Sequence, residues 1–150
     1  MSDIVWMQTD NQIQNSQIFK FIEFLRENQL ANLADSDALY EWSISNSELF
    51  WNSFAKFSQI KFTKPADMIL AGGHDMLNAK WFVGSKLNYA ENLLRRNDDQ
   101  LAIVFRGEDK IEWKYTFAEV NDIVARLAQG LRNLGVTKGD RVAGDLPNLP

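Results

Sequence analysis

An α/β chain in two parts is the fold class predicted by three features. Aromatic and aliphatic residues recur at helical spacing through residue 57, two apolar segments lie either side of a polar turn at 101–117, and a long capped amphipathic stretch runs from 116 to 134 into a short apolar run. Residues 1–80 read as a helical front part. Residues 81–150 read as a β-hairpin followed by strand-helix-strand elements of a layered α/β domain, incomplete as it stands.

The first predicted helix spans 16–28, where Ile18, Phe21, Ile22 and Leu25 fall on one face, Phe19 and Phe24 widen it, and Ser16 or Asn15 is placed to cap it. Leu39 and Trp42 then suggest a short helix. Ser45 and Glu48 take the spacing of a capping box in front of Phe50, Phe54 and Phe57, which share a face of a further helix. Aromatics at this spacing are core packing rather than a cofactor box.

Periodicity is lost over 59–80, which contains Pro65, the Gly72-Gly73 pair and only a brief apolar run at 68–71, so a connector is expected. "WFVGSKLNYAENLL" (81–94) follows. Its Gly-Ser-Lys lacks the leading glycine and residue order of a phosphate-binding loop. Asn88 three residues before Glu91 instead marks a helix start, and Trp81 and Phe82 are anchors for the preceding loop, so the stretch reads as a structural joint.

Beyond the joint, "LAIVFR" (101–106) and "IEWKYTF" (111–117) around "GEDK" predict a β-hairpin. Thr116 and Glu119 form a capping box for a helix whose Val120, Ile123, Val124, Leu127, Leu131 and Leu134 keep period for about five turns. Gly135 before Val136 is a Schellman-type stop, and "RVAGDLP" (141–147) reads as a closing strand. A chain with no helix after that strand looks like a front portion, with one sheet edge left open.

Composition narrows the function. With 16 Lys+Arg against 20 Asp+Glu, the net charge of -4 provides no basic field for nucleic acid or an acidic membrane. There is no cysteine, which removes disulfides, thiolate metal sites and cysteine nucleophiles and fits a cytoplasmic protein. No run approaches the roughly 20 apolar residues of a membrane span. His74, the one histidine, adjoins Asp75, but with no nucleophile nearby it reads as a loop residue. Gly72-Gly73 lacks the spacing and setting of a dinucleotide fingerprint.

Taken together, "IVWMQTD", "LYEWSISNSELFWNSFAKF", "WFVGSKLNYAENLLRR", "YTFAEV" and "GVTKGDRVAGDLPN" resemble, in order, segments of the acetoacetyl-CoA synthetase branch of the acyl-adenylate-forming ligases, relatives of acetyl-CoA synthetase. The resemblance implies a helical extension over 1–80 and the start of the AMP-binding domain over 81–150. For the full-length enzyme it implies ATP, Mg and CoA as cofactors and acetoacetate as substrate. A carboxylate attacks the α-phosphate, pyrophosphate leaves, and CoA displaces AMP. The family's phosphate loop, metal-binding acid and catalytic lysine all fall beyond residue 150, so no catalytic, cofactor-binding or metal residue is assigned here, and the 150 residues alone are expected to be inactive. The competing reading is a non-catalytic interaction or dimerisation module on the same scaffold, self-associating through an exposed sheet edge. Asp145 departs from the family pattern, which usually has a large aromatic there; either it faces water, or the element that would cover an aromatic is missing or different.

Overall fold

A computed structural model describes residues 6–108 and 111–147. The chain forms two compact units, residues 1–88 and 89–150. In the first lie α1 (Asp10–Gln14), α2 (Gln17–Glu27), α3 (Ser36–Ser45), α4 (Ser47–Phe57), β1 (Met68–Ala71) and β2 (Lys80–Val83). The second holds α5 (Tyr89–Leu93), β3 (Leu101–Arg106), β4 (Glu112–Thr116) and α6 (Phe117–Asn133). The α/β class is as expected, with two antiparallel hairpins in place of a layered sheet.

Ser16 is the cap of α2: its hydroxyl accepts the Phe19 N–H at 3.1 Å. The expected stripe divides, because Phe21, Ile22 and Leu25 are buried while Ile18 remains 52% exposed. Phe21 is the hub. Its ring centroid lies 5.8, 5.6 and 5.1 Å from those of Phe50, Phe54 and Phe57 on α4, two of them edge-on, as aromatic quadrupoles prefer. Burying each of the three apolar side chains contributes about 1.5–3 kcal/mol.

Two expectations for this unit fail. Ser45 does not open a capping box with Glu48, because it is still the last residue of α3, where its backbone is helical rather than extended as a cap requires. Asn46 forms the joint, its backbone and side-chain nitrogens both donating to the Trp42 carbonyl at 2.9 and 3.2 Å, and it provides α4 with no side-chain cap. Nor is 59–80 wholly a connector. The apolar run at 68–71 is β1, paired antiparallel to β2 in the register Met68↔Val83, Leu70↔Trp81 and Ala71↔Lys80. Four residues are too few to display a period, and the ladder partner lies some ten residues on. The short helix α1, opened by a Thr9–Gln12 capping box, was not expected at all.

In the second unit the hairpin forms as read, with Ile103↔Tyr115, Val104↔Lys114 and Phe105↔Trp113 opposed and an irregularity between Leu101 and Ile103. Asp109 and Lys110 of its expected turn lie outside the described residues. Thr116 caps α6 in both directions of the box: its hydroxyl accepts the Glu119 N–H at 3.2 Å and its N–H donates to the Glu119 carboxylate at 2.8 Å. The predicted stop is present too, with Gly135 at φ +89°, Val136 N–H donating to Leu131 O and Gly135 N–H to Arg132 O.

The closing strand does not form. Residues 141–147 are irregular and exposed, since a strand exists only against a ladder partner and no described residue pairs with them. Asp145 therefore faces water, the first of the two alternatives. No described residue of the second unit is fully buried, so its apolar groups lack a closed core.

Candidate functional site

The joint stretch 81–88 is built from strand, turn and bridge. After β2, Gly84 takes φ +74° and the Ser85 N–H closes a turn on the Phe82 carbonyl at 3.1 Å. A Cβ at Gly84 would press on the Asp67 carboxylate, whose Cγ would lie 3.0 Å away, with Lys64 Nζ at 3.2 Å. The left-handed φ is what favours glycine there, since the exposed ends of the Asp67 and Lys64 side chains can move aside. Lys64 and Asp67 form an exposed ion pair at 2.9 Å beside it.

Lys86 lies in a two-residue bridge. Its N–H donates to Lys64 O at 2.9 Å, while its carbonyl accepts from the N–H groups of Thr63 and Lys64 and from the Thr63 hydroxyl. A phosphate-binding loop turns its N–H groups inward to an anion; here the Lys86 N–H is committed to backbone.

Trp81 and Phe82 do anchor it. Trp81 packs edge-on to Trp51 at 5.9 Å, and Phe82, at the unusual φ of +47° for an aromatic residue, stacks on Phe62 at 5.7 Å. Trp51, Phe62 and Phe82, together with Phe54, Ile60 and Leu87, border an open apolar groove of about 310 Å³ within the first unit. Its walls bear no ionisable group, so it offers packing surface and no acid–base chemistry.

His74 sits in the β1–β2 loop, beside an open hollow bordered by Ser47 and Glu48. Asp75 does not orient it. That carboxylate accepts from Asn78 Nδ2 at 2.6 Å and from the Leu77 N–H at 3.1 Å, bonds that hold its pKa below the ordinary value, the Asn78 bond having the larger effect. Gly72, at φ +68°, starts this loop as a turn glycine. Among the described residues no group of three or more His, Cys, Asp or Glu side chains is placed to hold a metal ion.

A second polar constellation, not anticipated from the sequence, clasps the start of α6. Arg96 donates from Nε and Nη2 to Asp98 at 2.9 and 2.7 Å, its guanidinium lies 4.7 Å from the Phe117 ring centre, and its carbonyl accepts from Asn121 Nδ2 at 2.6 Å. Asp98 also accepts the Gln100 N–H; Arg96 foremost, then this bond, holds its pKa low. Asp98 O and Gln100 O receive the N–H groups of Ala118 and Phe117, two of the orphan donors of a helix start. Each donor has its acceptor, and the cluster is a structural clasp.

Residues 36–93 match the family described as acetyl-coenzyme A synthetase N-terminus, and residues 90–150 match the AMP-binding enzyme family. The chain is similar to an acetoacetyl-coenzyme A synthetase of Rhizobium meliloti, 36% identical over 97% of this chain and 22% of the relative, and to an acetoacetyl-CoA synthetase of Macaca fascicularis, 44% identical over 77% of this chain and 18% of the relative. A solved acetoacetyl-CoA synthetase from Streptomyces lividans superposes with a TM-score of 0.82 at 33% identity, across 99% of this chain and 24% of that one. The chain thus spans about a fifth of the length of the curated relatives it matches. No helix among the described residues is long and apolar enough to cross a membrane.

Proposed function

We propose that this chain is the front part of an acetoacetate:CoA ligase that, as a whole protein, converts ATP, acetoacetate and CoA to acetoacetyl-CoA, AMP and pyrophosphate through an acyl-adenylate, in the cytoplasm. The observation that carries the reading is likeness along nearly the entire chain to proteins named for that activity. Within the proposal, the helical first unit is the extension and the second unit opens the AMP-binding domain.

The 150 residues contribute scaffold. Their aromatic core, the turn and bridge at 81–88 and the clasp on α6 hold shape; in support, the Lys86 N–H is bound to backbone and the carboxylates of Asp75 and Asp98 accept from local donors. Within the proposal, no catalytic, cofactor-binding or metal-binding role falls on a residue of this chain.

Acetoacetate-dependent AMP release is the test. A full-length polypeptide bearing this sequence should release AMP only with acetoacetate, ATP and CoA together, and the 150-residue chain should release none. Turnover by the short chain would overturn its inertness; a full-length protein indifferent to acetoacetate would overturn the ligase reading.

The exposed apolar side chains of the second unit favour a second reading, an interaction module that self-associates. A strictly monomeric short chain at all concentrations would refute it.

A further inference from the structure

We draw no further inference here: the strongest candidate, the apolar groove of the first unit bordered by Trp51, Phe54, Phe62 and Phe82, is an unpartnered surface, and nothing in the structure shows what covers it.

Discussion

Replacing Phe21 with alanine should be the most damaging single truncation in the first unit. Its side chain is 3% exposed, and its ring is met by those of Phe24, Phe50, Phe54 and Phe57 at centroid distances from 5.1 to 6.2 Å. Truncation removes the transfer energy of a buried ring and opens a cavity between α2 and α4, which together cost about 3–5 kcal/mol. The ring pairs are not additional in full, because the neighbours share one cavity. Against a total stability of about 5–15 kcal/mol, that is enough to bring this unit close to its unfolding midpoint in water. Phe21→Leu, which keeps most of the volume and loses the edge contacts, should cost about 1–2 kcal/mol. Ile18→Ala, on the same helix but half in solvent, should cost less than about 1 kcal/mol. Urea unfolding followed by tryptophan fluorescence suits the comparison, since Trp42 and Trp51 both pack on Phe50 within this aromatic cluster. Equal losses for Phe21→Ala and Ile18→Ala would refute the assignment of Phe21 as hub.

Gly84→Ala should destabilise the first unit by about 1–2 kcal/mol, chiefly from forcing a side chain into the left-handed region, with displacement of the exposed Lys64–Asp67 pair a minor addition; urea midpoints would register it. The Asp98 carboxyl should titrate below 3.8 by carbon NMR, and Arg96→Gln should move the midpoint up toward that value. Because the folded pKa is lowered, the stabilisation is complete above the unfolded pKa and is lost as pH falls through the folded one. Protection of the Phe117 and Ala118 amides, taken relative to the intrinsic exchange rate at each pH, should therefore fall only in acid, as the Asp98 carboxylate is protonated, and a fall near neutrality would contradict the clasp.

Elements whose signals lie within a few residues were legible in the chain itself. The capping box at Thr116 and Glu119, the stop at Gly135, the helix over 17–27 and the hairpin of 101–116 all follow from local chemistry and period, and each is present. That Trp81 and Phe82 act as anchors was legible as well, because large aromatic rings beside a turn glycine have to find a packing surface. Tertiary contacts decided the remainder. Whether Ile18 or Phe21 enters the core depends on which side of α2 meets α4. Whether 68–71 becomes a strand depends on a partner some ten residues away, and the same requirement leaves 141–147 irregular. Capping at Ser45 was lost because α3 ran on through it. Local sequence specifies the hydrogen bonds a segment can make with itself; burial and strand pairing need a second surface, and its position is fixed only when distant parts of the chain pack together.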